Sequence, residues 1–205
     1  MNKPQVLIVE NSVDFTGALN SALRSCELLK DHFRFFFLLP AASKAVKYVT
    51  QKGFGVYELP MKEIRRNAGS MLLYFPYLIM NAIRLIKLAR TARIDLMVSN
   101  DFYNMILPVY KLMGGNIPYV CYVRFLPSRF PHFLVQCWCR LHDRYAAVII
   151  SVSEIVKREL PRQRKVVVIS NELPLQPVDF IEPNSETILY PANLLNSLYN
   201  ACAFH

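Results

Sequence analysis

One stretch of the sequence, RYAAVIISVSEIVKRELPRQRKVVVISN at 144–171, constrains the fold more than any other. An unbroken apolar and β-branched run at 146–152 is followed by a short helical pattern and then by a second apolar run at 166–169. Ser153 is suited to cap the helix and Pro161 to end it. Two strands without polar alternation are buried on both faces, which is typical of parallel sheets covered by helices.

The same alternation of apolar runs and helical patterns extends through the rest of the chain. Apolar runs predict further strands at 5–9, 33–39, 56–59, 94–99 and 118–123. Helical patterns predict helices at 18–29, 41–52, 103–113 and 133–145 and a basic amphipathic helix around 83–93, and place Ile155, Val156 and Leu160 on one face of the helix after Ser153. The sequence therefore predicts an α/β fold with a mostly parallel sheet sandwiched between helices.

Composition sets the size of the fold and narrows the partners. A chain of 205 residues, 53% of them hydrophobic, suits one core and one domain with a piece of another. The net charge of +9 favours an anionic partner: a nucleotide diphosphate, a nucleic acid or an anionic membrane surface. The five cysteines are odd in number, and the first ten residues do not resemble a secretory signal, so we expect a cytoplasmic setting.

The most basic part of the sequence, residues 62–93, leaves two interpretations open. Its nearly apolar portion, 71–82, is interrupted by Pro76 and Asn81 and is shorter than the roughly 20 residues that a membrane-spanning helix needs. Apolar residues then alternate with Arg84, Lys87, Arg90 and Arg93. This pattern predicts either a core-facing helix with a solvated basic face or a helix that contacts an anionic membrane surface.

Four short segments carry a family resemblance. Three of them lie in the 144–171 stretch, and the fourth contains the predicted strand at 94–99. The first strand of the 144–171 stretch ends in VSE, the helix reads IVKREL, the second strand reads VVVISN, and residues 92–101 read ARIDLMVSND. This pattern resembles the N-terminal, acceptor-side domain of family 4 glycosyltransferases of GT-B architecture, from residue 5 to about 190. The sequence departs from the family at Ser170 and Glu172, where a proline and a glycine usually stand.

The resemblance implies how the chain is divided. Residues 1–171 would form a Rossmann-like N-terminal domain, one half of a GT-B fold. Residues 172–186 contain three prolines and four acids and predict a linker, and residues 187–205 resemble the beginning of a second, donor-binding domain. We therefore expect this chain to be inactive alone.

The resemblance also implies a function. It predicts transfer of a sugar from a nucleotide-sugar donor to a glycan or lipid-linked acceptor, with retention at the anomeric carbon and without a metal ion or other cofactor. The expected location is the cytoplasm, peripheral to the inner face of the membrane, and nucleic acid is not an expected partner.

Candidate site residues follow from the same resemblance. Arg124 stands where many family members have a histidine that contacts the transferred sugar, and an arginine, which stays protonated, can pair with phosphate but cannot act as a base. His132 is a possible substitute. Gly17 would let the backbone approach a donor phosphate at a helix N-terminus, and the alternative is that it only forms the turn before the helix. Residues expected to line the donor-phosphate or acceptor cleft are Thr16, Gly17, Asn100, Ser153, Glu154 and Asn171.

Three alternatives were compared with this interpretation. A non-catalytic, basic, membrane-associated binding module would share the same fold and charge. A receiver domain would need acids after the first strand and an Asp at the third, whereas Glu10 is followed by Asn11 and the third strand has Glu58. A zinc site at Cys137 and Cys139 is disfavoured because helix residues two apart point about 200° away from each other.

Overall fold

A computed structural model describes residues 3–61 and 68–170, with side chains omitted for 68–73. The predicted linker at 172–186, the predicted start of a second domain at 187–205 and Asn171 lie outside the described residues. The basic residues Lys62, Arg65 and Arg66 also lie outside them.

The described residues form a sheet of seven strands in which every neighbouring pair is parallel. The strands are β1 (Gln5–Val9), β2 (Arg34–Pro40), β3 (Gly55–Leu59), β4 (Leu96–Ser99), β5 (Tyr119–Val123), β6 (Val148–Ser151) and β7 (Val166–Val168). The helices are α1 (Gly17–Leu29), α2 (Ala45–Gln51), α3 (Ala68–Thr91), α4 (Ile106–Leu112), α5 (His132–Tyr145) and α6 (Glu154–Glu159). The predicted α/β, Rossmann-like fold is confirmed.

The strand order is β3-β2-β1-β4-β5-β6-β7. The chain builds outward from β1 to β3, crosses back through α3, and then builds outward in the other direction from β4 to β7. The order therefore reverses between β1 and β4, and in sheets of this kind ligands bind outside the carboxyl ends of the strands at such a reversal. The order also excludes a receiver domain, whose sheet has the order 2-1-3-4-5.

Two hydrophobic layers cover the two faces of the sheet. One layer joins the sheet to α3, α4 and α5, and the other joins it to α1 and α2. The buried residues of α1 are Leu19, Ala22, Leu23, Cys26 and Leu29, the face predicted from their helical spacing. Burial of a leucine side chain stabilises the fold by roughly 1.5–3 kcal/mol, so this face holds α1 on the sheet.

Three helices differ from their predicted extents. Helix α2 begins at Ala45 rather than 41, because residues before it form a turn in which Ser43 N donates to Pro40 O and Lys44 N to Val13 O. Helix α4 begins at Ile106 rather than 103, since the side chains of Asp101 and Asn104 accept from nearby backbone N–H groups. Helix α3 runs from Ala68 to Thr91, so it begins well before the predicted basic amphipathic segment, and Pro76 lies inside it without ending it.

Two side chains also depart from their predicted surroundings. Ile155 is exposed, whereas Val156 and Leu160 are buried, because α6 is only about one and a half turns long and presents a narrow face to the sheet. His132 was predicted in a loop, but it is the first residue of α5.

Candidate functional site

A buried carboxylate lies where the strand order reverses. Glu10 follows β1 and is 3% exposed. Its Oε1 accepts hydrogen bonds from Asn11 N at 2.9 Å and Ser12 N at 3.0 Å, and its Oε2 accepts from Asn100 Nδ2 at 2.6 Å. Asn100 follows β4, so this contact joins the two strands on either side of the reversal. Glu10 therefore shapes the loop after β1 and fixes the side chain of a predicted cleft residue.

Arg124 extends this network to β5 and α1. Its Nε donates to Asn100 Oδ1 at 3.0 Å, and its Nη1 donates to Ser21 Oγ at 3.1 Å. The guanidinium carbon lies 4.4 Å from the centre of the Tyr122 ring, a cation–π contact. We call Glu10, Ser21, Asn100 and Arg124 the arginine network. The structure thus brings the predicted residues Asn100 and Arg124 together, with the guanidinium held between protein groups.

Asp101 is a buried acid beside this network. Its Oδ1 accepts from Phe102 N at 2.8 Å, while its Oδ2 has no hydrogen-bond partner among residues 3–61 and 68–170. Burial raises the pKa of this carboxyl to about 8, although the Phe102 N–H and the charge of Arg124 oppose the shift. The carboxyl is therefore largely neutral below pH 8, so a proton is held at the edge of the site.

Thr16 and Ser153, the residues just before α1 and α6, cap the N-termini of these two helices. Thr16 Oγ1 accepts from Leu19 N at 3.1 Å at the start of α1, and Ser153 Oγ accepts from Val156 N at 3.2 Å at the start of α6. A Cβ placed on Gly17 would meet nothing within 4 Å, so the space beside it is open. Glu154 makes a long 3.9 Å ion pair with Lys157. The cleft roles predicted for these residues stay predictions.

The histidines and cysteines near α5 do not form one cluster. His132 is exposed, and its Nε2 lies 2.8 Å from Gln136 Nε2. His142 is buried: its Nδ1 lies 3.1 Å from Tyr119 Oη and its Nε2 lies 2.7 Å from Phe102 O, while burial lowers its pKa to about 4. Cys137 is exposed and Cys139 buried. Within the described ranges, no group of three potential metal ligands comes together.

Two pockets flank the carboxyl edge at the reversal. The first lies between α1 and the sheet and is largely apolar, with Asn100 and Arg124 among its lining residues. The second, which we call the asparagine pocket, lies on the α3 and α4 side and is lined by Asn11, Met61, Tyr74, Tyr77, Leu78, Asn81, Asn104 and Ile106. A ligand at the reversal would have access to pockets of different chemistry on the two sides.

Glu10, Ser21 and Asp101 were not among the predicted site residues. The sequence did carry a signal for the two acids. Glu10 directly follows the buried strand β1, and Asp101 follows the polar pair Ser99-Asn100 at the end of β4. Glu10 had been compared only with the acids of receiver domains. Ser21 had no sequence signal, since it lies within an amphipathic helix and meets Arg124 only through the tertiary fold.

Comparisons with known proteins identify the fold. No protein-family profile and no curated protein sequence matches the chain. Among solved structures, HepE from Anabaena in complex with UDP and glucose is similar at a TM-score of 0.63 and 15% identity, over 96% of this chain and 50% of that one. MurG from Acinetobacter baumannii is similar at a TM-score of 0.58 and 11% identity, over 89% and 50%.

A third similar structure is WaaB, a lipopolysaccharide outer core galactosyltransferase, at a TM-score of 0.62 and 11% identity, over 85% of this chain and 47% of that one. These neighbours are GT-B glycosyltransferases, so the chain has a glycosyltransferase-like fold. It spans about half the length of the solved structures that it matches.

Proposed function

We propose that this chain is the acceptor-side half of a GT-B glycosyltransferase, similar to those of family 4. It would act with a donor-binding domain to transfer a sugar from a nucleotide-sugar to a glycan or lipid-linked acceptor. The observation that carries the proposal is the arginine network at the strand-order reversal of a sheet with the glycosyltransferase-like fold. Ligands of such sheets bind at that position, and the network holds polar groups rigidly there.

The donor would be a nucleotide-sugar. HepE has been solved in complex with UDP-glucose, at 15% identity to this chain. In this chain, the N-terminus of α1 beside Thr16 and Gly17 offers backbone N–H groups and a favourable helix dipole to a diphosphate. Arg124 would position Asn100 and Ser21 and add positive charge to the cleft, rather than take the role of the family's histidine. No metal ion or other cofactor is part of this proposal.

The proposal is tested with the 205-residue chain itself. Turnover is measured as release of nucleoside diphosphate from UDP-, GDP- and ADP-sugars with simple glycosides and short-chain lipid-linked saccharides as acceptors. Binding of the same acceptors is measured by calorimetry. We expect binding of one acceptor class without turnover, because the reaction needs donor and acceptor held across a cleft between two domains. Steady turnover would contradict the half-enzyme proposal, and failure of every acceptor to bind would contradict the acceptor-side assignment.

A second candidate function, membrane association, is favoured by the outer face of α3. Phe75, Ile79 and Ile83, spaced four residues apart, are each at least half exposed, and Arg84, Lys87 and Arg90 continue the exposed surface. No helix among the described residues has the length and apolarity to cross a bilayer. We propose that this face lies on an anionic membrane surface, either to reach a lipid-linked acceptor or as the role of a non-catalytic module.

The membrane proposal is tested by co-sedimentation with vesicles of graded anionic lipid content. Each basic residue near such a surface contributes about 1 kcal/mol, so replacement of Arg84, Lys87, Arg90 and Arg93 by Gln should abolish binding at low salt. Binding by the parent should weaken as salt shortens the Debye length. Equal binding by parent and variant, or no binding by the parent, would rule the membrane role out.

A further inference from the structure

Two residues that line the asparagine pocket each have a buried amide atom with no partner in the part of the chain that the structure describes. Asn81 is 2% exposed and Asn104 is 3% exposed. Among the residues that the structure describes, Asn81 Oδ1 and Asn104 Nδ2 have no hydrogen-bond partner. A buried polar atom left unsatisfied costs about 1–3 kcal/mol, so two of them in one pocket require a physical reason.

The orientation of both amides is fixed by backbone partners. Asn81 Nδ2 donates to Pro60 O at 3.1 Å, and a carbonyl oxygen can only accept. Asn104 Oδ1 accepts from Ile106 N at 3.3 Å, and a backbone N–H can only donate. A rotation of either amide by 180° would break its bond. The pocket therefore presents one acceptor, Asn81 Oδ1, and one donor, Asn104 Nδ2.

The lining of the pocket selects against charged groups. None of its described lining residues is a lysine, arginine, aspartate or glutamate. A phosphate would meet no counter-charge among these described residues and would lose its hydration there. The remaining walls include the rings of Tyr74 and Tyr77 and the apolar side chains of Leu78 and Ile106. A neutral group that both donates and accepts a hydrogen bond, with an apolar and an aromatic surface around it, matches this lining.

The size of the pocket limits how much of a ligand enters it. Its cavity volume is about 20 Å³, enough for one water-sized group such as a hydroxyl and far below the roughly 300–1,000 Å³ typical of sites for drug-sized ligands. The pocket adjoins the site at the reversal, because Asn11 is bonded to Glu10 and Asn104 N donates to Asp101 O. A ligand at the reversal can thus extend one end into the pocket.

We propose that the asparagine pocket binds a hydroxyl group of the sugar acceptor, which donates to Asn81 Oδ1 and accepts from Asn104 Nδ2. This inference rests on the proposed function and adds to it a neutral, polyhydroxylated substrate and the two residues that select it. A hydroxyl can satisfy both unpartnered atoms at once, whereas a methylene satisfies neither and a fully ionised phosphate can accept but not donate. Asn81 and Asn104 are then specificity-determining residues.

The test combines protein and ligand variants in a thermodynamic cycle. Methyl glycosides and their monodeoxy analogues are titrated into the parent chain and into Asn104→Asp, which keeps the oxygen that accepts from Ile106 N and replaces the unpartnered donor by an acceptor. Asn116→Asp makes the same change at an exposed residue of the loop between α4 and β5, and is the matched control. Melting curves check that each variant is folded, and Asn104→Ala replaces Asn104→Asp if that variant is not.

We expect one monodeoxy analogue to bind the parent at least about tenfold more weakly than the complete glycoside. That difference should disappear in Asn104→Asp and persist in Asn116→Asp. If the parent binds glycosides and Asn104→Asp shows the same preference, the pocket holds a structural water and the inference is wrong, while the proposed function stands. If the parent binds no glycoside and no other acceptor, the proposed function and the inference both fail.

Discussion

The two sides of the carboxyl edge differ in how completely their polar groups are hydrogen-bonded. On the α1 side, both carboxylate oxygens of Glu10 and both amide atoms of Asn100 have partners, and Arg124 is bonded through two nitrogens. On the α3 side, Asn81 and Asn104 each use one amide atom and leave the other without a partner among the described residues. A satisfied network stabilises and orients, whereas unsatisfied buried atoms call for a further partner such as a ligand group or an ordered water.

The largest expected effect comes from Glu10→Gln, which disrupts the hydrogen-bonded network on the α1 side of the carboxyl edge. Glu10 accepts from three donors, and a glutamine has only one oxygen, so its NH2 group would face the N–H of a neighbour. We expect destabilisation by about 3 kcal/mol, measured by urea unfolding. Glu27→Gln, in the half-exposed ion pair with Lys52, is the control and should change stability by less than about 1 kcal/mol. Equal effects would show that the arginine network adds no special stability.

The second prediction concerns His142, another fully bonded buried group. Its folded pKa of about 4 lies below the value of about 6.5 in an unfolded chain, so the fold favours the neutral ring. This contribution is complete above pH 6.5 and is lost as the pH falls toward 4. His142→Gln should remove about 2 kcal/mol of the acid-induced loss between pH 6.5 and 4, seen as a flatter stability profile. His32→Gln, at an exposed site, should leave the profile unchanged.

The third prediction sharpens the comparison at Asp101, whose Oδ2 lacks a described partner although it adjoins the arginine network. Its pKa is raised to about 8, so the stability contributed by its proton is complete below about pH 4 and is lost as the pH rises to 8. We expect Asp101→Asn to be more stable than the parent by at least about 2 kcal/mol at pH 9 and equal to it at pH 4. The opposite trend with pH would mean that the carboxylate is charged in the folded state. The exposed Asp31→Asn is the control.

The smallest effects are expected at the two helix caps near the edge. Thr16→Ala and Ser153→Ala each remove one bond to a backbone N–H, so each should cost about 1 kcal/mol, whereas Thr16→Ser should retain the cap. Melting temperatures provide the measurement. A loss of acceptor binding in these variants at unchanged stability would instead assign the hydroxyls to the ligand.

Much of the fold could be predicted because the residue types in the strands indicate that these strands are buried. The run Val148–Ser151 and the other apolar strands have no polar alternation, which is possible only in a sheet covered on both faces. Helix starts were predicted less well. Residues 41–44 and 103–105 continue the helical pattern, yet they lie outside α2 and α4. Before α2, a turn bond from Ser43 N to Pro40 O and a long-range bond from Lys44 N to Val13 O hold the chain in another conformation.

The site was predicted only in part. Asn100 and Arg124 were identified by their positions after strands, and the structure shows them bonded to each other. Their partners Glu10 and Ser21 lie 90 and 103 residues away from them along the chain, and such pairings leave no periodic signal in a single sequence. Asn81 had been considered only as an interruption in an apolar segment. Its buried position follows from the packing of α3 beside the end of β3.

The sequence by itself determined the parallel α/β class, the order of its elements and the face of α1 that packs on the sheet, because these depend on local periodicity and the sequestration of apolar side chains from water. Only the tertiary structure decided which polar groups meet. The strand order brings the ends of β1, β4 and β5 together, and this adjacency satisfies Glu10, Asn100 and Arg124. Asn81 and Asn104 each keep one amide atom without a partner among the described residues. Hydrogen bonding is short-ranged and directional, so its outcome is set by where the folded chain places each group.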